Sequence, residues 1–440
     1  MTKLKKGDVV RSEDGKREFI VDALIHTGTG QGDIYKVHSD KDIFALKLFH
    51  TGDMNILKRQ MHRLQLRGRA SAAFVHPLYV VNVDGNVGYV MEFLSPEEYI
   101  SSSILFNGVE RVLDNGDVIR EELPLYQKLG LWKLIFEAIK ILFDADISLG
   151  DVKYDNIKIN KNTGGIKILD TDTAVGGKAK AMVRGTIGFM EPLVMRGEKA
   201  PNKYSDAYSL AVMLYMSLIS GHPLRGRRYH EQCNQNIDVY TFATNPVYVY
   251  NKKDKSNRPA PHEKRTIARL KKYPEYFLEA MHRTFVDGLF EDETKRTTPG
   301  EWLEIIDRLY EDHFICKQCG EEHFFETAER NCHVCGTELE LPIKLVCDGS
   351  DRSGVYLFNG TEVWTGDLIE KENSYQLFKV VVSDFDKKFS LLCTSTQPVT
   401  LELKNGFSKD FGRGDIIPIF LDSKLTISNK YNIKFIGGTK

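Results

Sequence analysis

The stretch that decides the fold reads Leu-Gly-Asp-Val-Lys-Tyr-Asp-Asn and runs from Leu149 to Asn156. Within it, Asp151, Lys153 and Asn156 place a carboxylate, an ammonium group and an amide on one short loop. A carboxylate can accept a hydroxyl proton, a lysine can neutralise a phosphoryl group, and an amide oxygen can bind Mg²⁺. The same residues could also form a capped surface turn, so the neighbouring sequence has to decide between the two.

The flanking sequence supplies the remaining groups that phosphoryl transfer requires. Fourteen residues after Asn156, Asp170 follows the apolar strand Ile166–Leu169 and offers a second oxygen ligand for Mg²⁺. Upstream, Lys47 closes another apolar strand, where a buried ammonium group without an anionic partner would be costly. A phosphate would be such a partner. The order of these residues along the chain favours a nucleotide site over a surface turn.

A glycine-rich stretch, Thr27–Gly32, lies between strand-like runs and fifteen residues before Lys47. Its small residues would let backbone amides approach anionic oxygens closely. Taken alone, such a stretch is more typical of an ordinary hairpin turn. Its place before Lys47 favours a phosphate cradle.

The periodicity changes twice along the chain. Strand-like runs alternate with Gly- and Asp-rich turns up to about Leu94, and from Leu131 apolar residues recur at helical spacing. After Cys335 the runs are again strand-like, and no helical stretch is expected there. The sequence therefore predicts a multidomain α+β protein with an all-β sandwich or barrel of about 100 residues at its C-terminal end, and we take the sandwich as the expected form.

Size and charge restrict the class of protein. The chain has 440 residues, 42% of them hydrophobic and 28% charged, which predicts two or three globular domains. Its net charge of −1 provides no overall field that would attract nucleic acid or an anionic membrane. The apolar window Leu210–Ile219 is too short to span a bilayer, and no signal peptide is recognisable. We therefore expect a cytoplasmic protein without nucleic-acid or membrane partners.

Four cysteines form two Cys-x-x-Cys pairs separated by twelve residues, namely Cys316, Cys319, Cys332 and Cys335. Four thiolates at this spacing can surround Zn²⁺ in a tetrahedron, and metal binding of this kind contributes about 10–16 kcal/mol to folding. A redox-active pair is the alternative. The acidic residues between the two pairs argue against a role in binding nucleic acid. The spacing predicts a structural zinc ribbon.

These motifs together resemble those of eukaryotic-type Ser/Thr protein kinases, over about residues 15–310. The resemblance implies a bilobal fold, ATP and Mg²⁺ as cofactors, and protein hydroxyls as substrates. It implies that Asp151 is the catalytic base, that Lys47 holds the α- and β-phosphates and that Lys153 neutralises the transferred group. The nucleotide contacts that it implies are Gly28, Gly30, Gly32, Ile34, Ala45, Lys47, Glu92 and Leu94, and the magnesium ligands are Asn156 and Asp170.

Three further stretches resemble parts of the kinase fold. Val90–Leu94 resembles the hinge that pairs with adenine, and Gly185–Pro192 resembles the end of the activation segment. Asp206 resembles the aspartate that opens the large central helix, and Arg296–Trp302 resembles the final helix.

The chain also departs from the kinase pattern. Of the three glycines in the usual loop only Gly32 is in register, and Leu149-Gly150 replaces the His-Arg pair before the catalytic aspartate. Leu193 stands where the family has the glutamate of its Ala-Pro-Glu motif. The helix glutamate that pairs with the lysine is missing, and Gln60 is the nearest substitute. We therefore expect activity that is weak or dependent on a partner.

The whole arrangement resembles bacterial kinases that carry a zinc ribbon and a C-terminal β domain. That resemblance implies a cognate phosphatase and a von Willebrand factor A protein as partners, and the tail loosely resembles a forkhead-associated domain. The expected boundaries are 1–312 for the kinase-like domain (lobes 15–94 and 95–312), 313–340 for the ribbon and 341–440 for the sandwich. Two alternatives to an active kinase are a nucleotide-binding pseudokinase scaffold and a zinc-ribbon adaptor with a vestigial kinase fold.

Overall fold

The structure of the chain is a computed structural model. It describes residues 3–27, 32–67, 71–113, 117–171, 175–176, 185–231, 236–327, 330–350, 352, 354–358, 360–369, 374–382, 389–421 and 423–437. The chain divides into two compact units, Met1–His313 and Phe314–Lys440. In the described part of the chain, no helix is both long and apolar enough to cross a membrane.

A six-stranded antiparallel sheet opens the first unit. Its strands are β1 (Val9–Arg11), β2 (Glu18–Thr27), β3 (Gly32–Ser39), β4 (Asp42–Phe49), β5 (Tyr79–Val83) and β6 (Asn86–Glu92), in the order β1-β2-β3-β4-β6-β5. Helix α1 (Met54–Arg67) follows β4 and buries Met61 against the sheet. Alternating side chains of β3 are buried, as expected when one face of a strand covers a core. The predicted strand-rich front ends with β6.

Helices dominate the rest of the first unit. They are α2 (Ile104–Asn107), α3 (Leu125–Asp144), α4 (Pro192–Met195), α5 (Lys203–Leu218), α6 (Arg227–His230), α7 (Ile237–Val239), α8 (Lys264–Lys272), α9 (Glu275–His282) and α10 (Pro299–Asp312). The short strands among them are β7 (Tyr99–Ser101), β8 (Val109–Val112), β9 (Val118–Glu121), β10 (Ile147–Ser148), β11 (Ile157–Asn160), β12 (Ile166–Ile168) and β13 (Val175–Gly176).

Helix α5 lies at the centre of this part of the fold. Asn202 and Ser205 form a capping box at its start, which satisfies amides that the helix itself leaves unpaired. Nearly every side chain of α5 is buried, on all faces. The apolar window Leu210–Ile219 therefore belongs to a helix packed inside the protein.

The second unit is β-rich. Its strands are β14 (His313–Ile315), which starts at the boundary between the units, β15 (Glu322–Phe324), β16 (Ile343–Cys347), β17 (Val355–Tyr356), β18 (Glu362–Trp364), β19 (Gln376–Val382), β20 (Phe389–Cys393), β21 (Val399–Glu402), β22 (Ser408–Phe411), β23 (Ile416–Pro418), β24 (Lys424–Ile427) and β25 (Tyr431–Gly437). Sheets β17-β16-β25-β24-β21-β22 and β18-β19-β20-β23 contribute side chains to one buried cluster. One helical turn, α11 (Thr365–Leu368), corrects the expectation that no helix follows Cys335. A stretch of four residues is too short to show helical periodicity in the sequence.

Candidate active site

The loop after β10 brings three of the predicted residues together. The Nζ atom of Lys153 lies 2.8 Å from Oδ2 of Asp151. The side-chain amide of Asn156 donates to the backbone carbonyl of Asp151 at 2.8 Å. Asn156 stands in a single 3₁₀ turn, Tyr154–Asn156, that leads directly into β11. The short turn holds the carboxylate, the cation and the amide side by side.

Helix α5 fixes the backbone of this loop through Asp206, in its first turn. The carboxylate of Asp206 accepts hydrogen bonds from the amides of Leu149 at 2.6 Å and Gly150 at 3.0 Å. Burial raises the pKa of Asp206 to about 7, although these amide hydrogen bonds act in the opposite direction. Gly150 has φ of +78°, a conformation that glycine adopts readily. The replacement of the family's arginine by Gly150 therefore fits the local backbone.

Lys47 and Asp170 meet on the other side of the site. Lys47 lies on β4 opposite Ile34 of β3, and its side chain is 8% exposed. Its Nζ atom lies 3.2 Å from Oδ1 of Asp170, which is 38% exposed. Asp170 has φ of +54°, so its backbone turns sharply as it leaves β12. The ammonium group that we expected on a phosphate thus has a carboxylate partner at the site.

A backbone hydrogen bond joins the two halves of the site. The amide of Leu169 donates to the carbonyl of Asn156 at 2.8 Å, so the two expected magnesium ligands lie on directly connected loops. The side chain of Thr171 donates to the carbonyl of Val75 at 2.8 Å, which fixes the chain just after Asp170. The structure therefore brings the residues predicted for catalysis and metal binding into one region.

The predicted nucleotide contacts lie along β3, β4 and β6. Gly32 pairs with Phe49, and Ala45 pairs with Met91 at the end of β6 that leads into the expected hinge. The side chain of Glu92 forms an ion pair with Lys167 at 2.6 Å, and Leu94 follows as a partly buried residue. The expected contacts Gly28 and Gly30 lie outside the described residues.

Helix α1 has no acidic residue, so a helix carboxylate for Lys47 is missing, as expected. Other side-chain contacts hold α1 against the rest of the unit. The carboxylate of Glu13, between β1 and β2, forms an ion pair with Lys58 and a hydrogen bond at 2.9 Å with Nε2 of His62. The side chain of Gln65 donates to the carbonyl of Leu78 at 2.6 Å. The sequence gives no signal for this contact of Glu13, because Glu13 lies 49 residues before His62 and belongs to no motif.

The glutamate that is missing from the Ala-Pro-Glu position has a structural replacement, which the sequence alone did not reveal. Glu191, two residues before Leu193, is 0% exposed, and its Oε1 atom lies 2.8 Å from Arg296, which is 1% exposed. The guanidinium group of Arg296 also donates to the carbonyls of Gly288, Tyr204 and Leu289. A carboxylate is therefore present at the end of the activation segment, although Leu193 occupies the position where the family pattern puts it. Glu191 and Arg296 are 105 residues apart, so no local spacing signals the pair.

This buried ion pair gives a stability prediction. Changing Glu191 to Gln should lower the free energy of unfolding of the first unit by about 3–5 kcal/mol, because it leaves Arg296 buried without its counter-charge. Glu198 is the matched control: its ion pair with Arg196 is exposed, so Glu198→Gln should cost less than about 1 kcal/mol. Urea unfolding of both variants measures the difference. Equal and small losses would contradict a structural role for the Glu191–Arg296 pair.

The four predicted zinc ligands also come together, in the second unit. Their sulfur atoms all lie within 4.8 Å of one another, with Cys316 3.7 Å from Cys335 and Cys319 3.6 Å from Cys332. A tetrahedron with metal–sulfur bonds of about 2.3 Å has edges of about 3.8 Å, so the separations fit a zinc ion. Gly320 and Gly336 each have φ of +74° and donate to the carbonyls of Cys316 and Cys332, which closes two equivalent turns.

Comparison with known proteins agrees with this geometry. A sequence model of the protein kinase domain matches residues 23–307. "Putative sperm motility kinase W" of Mus musculus is 27% identical over 139 residues, 30% of this chain and 26% of that protein. "Serine/threonine-protein kinase PSK2" of Saccharomyces cerevisiae is 24% identical over 147 residues, 32% of this chain and 13% of that protein. The chain thus matches only a minor part of each relative. Because the domain match covers more than half of the chain and contains the Asp151 loop, the chain belongs to the protein kinase domain family.

Proposed function

We propose that this protein is an ATP- and Mg²⁺-dependent protein kinase that phosphorylates serine or threonine side chains of protein substrates. The observation that carries the proposal is the arrangement of Asp151, Lys153 and Asn156 on one loop, joined through Leu169 to the Lys47–Asp170 pair. Membership of the kinase family supports phosphoryl transfer to protein. The serine/threonine preference rests on Lys153 and on the name of one distant relative.

Each side chain has a role that follows from its chemistry. The substrate hydroxyl oxygen attacks the γ-phosphorus, the bond from that phosphorus to the β–γ bridging oxygen breaks, and ADP leaves. Asp151 accepts the hydroxyl proton, while Lys153 neutralises charge on the transferred group. Lys47 would hold the α- and β-phosphates, an interaction that competes with its ion pair to Asp170.

The oxygen donors fit a magnesium ion. Asn156 uses its amide nitrogen to bind the carbonyl of Asp151, which leaves its side-chain oxygen as a metal ligand. Asp170 offers a partly exposed carboxylate on the connected loop. Two oxygen ligands, completed by phosphate oxygens and water, are typical of nucleotide-bound Mg²⁺. When bound, the ion neutralises the phosphates and orients them.

Labelled ATP tests the proposal directly. The purified protein should transfer the γ-phosphoryl group to a generic protein substrate, and Asp151→Asn should reduce the rate by about 10²–10⁴-fold because the general base is lost. Asp155→Asn is the matched control, since Asp155 is an exposed carboxylate in the same loop. Its rate should stay within about twofold of the wild type. Equal rates for the Asp151→Asn variant and the wild type would reject the assignment of the base.

The second candidate is a nucleotide-binding pseudokinase scaffold. The absence of any acidic residue on α1 favours it, because no helix carboxylate is then available to hold Lys47 on the phosphates. This candidate predicts ATP binding without turnover. Single-turnover measurements with labelled ATP in excess protein distinguish it from a slow kinase.

The second unit is proposed to carry a structural zinc ribbon and a β-sandwich that contacts other proteins. The four sulfur atoms, at distances that fit a tetrahedron, support the ribbon. Two sheets around a single buried cluster support the sandwich. A cognate phosphatase and a von Willebrand factor A protein are proposed as partners on the resemblance to bacterial kinases alone.

A further inference from the structure

Helix α8 carries a concentration of positive charge that the catalytic site does not use. From Lys252 to Lys272 the chain has nine Lys and Arg residues against two Asp and Glu residues, in a protein whose net charge is −1. The helix itself contains five cations and no acidic residue. These cations are Lys264, Arg265, Arg269, Lys271 and Lys272.

The five cations share one face of the helix. At about 100° per residue they fall within an arc of roughly 160°, together with the exposed Ala268. Thr266 and Leu270 are buried on the opposite side. The helix therefore presents a continuous cationic surface and uses its other face to pack.

Local helix energetics do not favour this arrangement. Lys264 and Arg265 stand in the first turn, where the helix dipole repels positive charge. Arg265 and Arg269 are four residues apart, so their like charges are neighbours along the helix. The helix dipole attracts cations to the last turn, so it explains the cations there. It does not explain those in the first turn. Arg265 is compensated by an ion pair with Glu122, whereas Lys264 forms no ion pair among the described residues. A local rule that Lys264 breaks without such compensation points to a function for the surface.

A partly buried cluster beside the helix leaves part of this charge unbalanced. The single carboxylate of Glu122 is shared by three cations, Lys128, Arg265 and Arg269. The side chain of Lys128 is only 3% exposed, so it is a fixed component of the cluster. Arg265 and Arg269, the two cations that α8 contributes, thus share one carboxylate, which favours the binding of a further anionic group. Among the described residues, Lys264 and Lys271 form no ion pair that would reduce the attraction.

We propose that the cationic face of α8 docks an acidic segment of the protein substrate. That the bound protein is a substrate rests on the proposed function. That the bound segment is acidic follows from the positive charge of the surface. Complementary charge accelerates encounter and selects partners, with an effect that declines as salt is added. The exposed arc offers no aromatic side chain on which bases could stack, so a single-stranded nucleic acid is the less suitable occupant.

Binding of a probe tests the surface without requiring catalysis. A fluorescent peptide of twelve glutamates should bind the full-length protein at low salt and weaken as salt is added. The double variant Lys264→Gln/Lys271→Gln should weaken binding by about tenfold, since two unpaired charges are removed. Lys6→Gln/Lys41→Gln, which removes two exposed lysines elsewhere, should leave it unchanged. Absence of binding, or equal weakening by both pairs, would overturn the proposal.

Phosphotransfer provides the second readout. Two peptides with the same phosphoacceptor, one followed by a glutamate tail and one by a glutamine tail, should differ in KM but not in kcat with the wild type. The Lys264→Gln/Lys271→Gln variant should lose that difference in KM. No transfer to either peptide, with binding of the probe intact, would reject the kinase activity and leave the docking surface standing. A labelled single-stranded oligonucleotide of equal charge that binds α8 as tightly as the acidic peptide would overturn the choice of a protein segment.

Discussion

Replacing Asp170 by asparagine should lower kcat/KM for phosphotransfer by about 10³-fold. The substitution removes a charged ligand for Mg²⁺, whose stabilisation of the transition state amounts to several kcal/mol. It also removes the carboxylate that lies 3.2 Å from Lys47 and competes with phosphate for the lysine in the ground state. We therefore expect a large loss in kcat, with ATP binding retained and less dependent on Mg²⁺. Steady-state kinetics across a range of Mg²⁺ concentrations measure both effects.

A control separates this effect from misfolding. Asp144, at the end of α3, has an exposed carboxylate in an ion pair with Lys140. Asp144→Asn should therefore have wild-type kinetics. If Asp170→Asn retains wild-type activity at every Mg²⁺ concentration while its thermal unfolding is unchanged, Asp170 is not a metal ligand.

The second large effect concerns zinc. The wild-type protein should contain one zinc ion per chain, and Cys332→Ser should reduce that content to nearly zero. Cys332 is buried within the sulfur cluster, and three remaining thiolates do not complete a tetrahedron. The segment around the ribbon should then lose its protection from proteolysis, because metal binding contributes to its folding. Atomic emission measures the metal, and limited proteolysis with mass spectrometry locates the change.

Cys347 is the matched control for the zinc experiment, because it is buried in the same unit but does not belong to the sulfur cluster. Cys347→Ser should retain one zinc ion per chain. A wild-type protein that contains no zinc after preparation in zinc-supplemented medium would contradict the zinc ribbon.

The proposed catalytic loop could be recognised in the sequence because its chemistry is local. Asp151, Lys153 and Asn156 lie within six residues, and phosphoryl transfer requires these groups at fixed offsets. Lys47 and Asp170 could be added because Lys47 lies within an apolar strand and Asp170 follows one, which determines their positions. The structure brings Lys47 and Asp170 into contact across 123 residues of sequence. The cluster of four cysteines could also be recognised in the sequence, since tetrahedral coordination of a metal ion restricts the spacing of its ligands.

Long-range polar pairs could not be predicted in the same way. Glu191 immediately precedes α4 and Arg296 lies shortly before α10, 105 residues further along the chain, so their buried contact leaves no periodic signal in the sequence. Glu13 reaches α1 only because β1 and β2 place the turn between them next to that helix. The residues in the two halves of the candidate site were therefore proposed from motifs. The contacts that stabilise these halves could be recognised only in the structure.

The proposed ribbon and sandwich also illustrate this limit. The boundary between 313–340 and 341–440 stays a prediction, and the structure groups Phe314–Lys440 into one compact unit. Phe325, from the ribbon segment, packs against Phe314 at a ring separation of 4.3 Å and against Tyr356 of β17 at 4.7 Å. Such aromatic contacts depend on side-chain direction rather than on sequence spacing. A change of composition along the chain does not reveal them.

The most direct measurement is a crystal structure of the protein with Mg²⁺ and a non-hydrolysable ATP analogue. We predict a magnesium ion about 2.1 Å from the side-chain oxygens of Asn156 and Asp170, with Lys47 on the α- and β-phosphates. The γ-phosphate should lie beside Lys153 and within reach of a hydroxyl bound to Asp151. A nucleotide bound elsewhere, or one whose metal touches neither Asn156 nor Asp170, would contradict the assignment of this loop as a site of phosphoryl transfer.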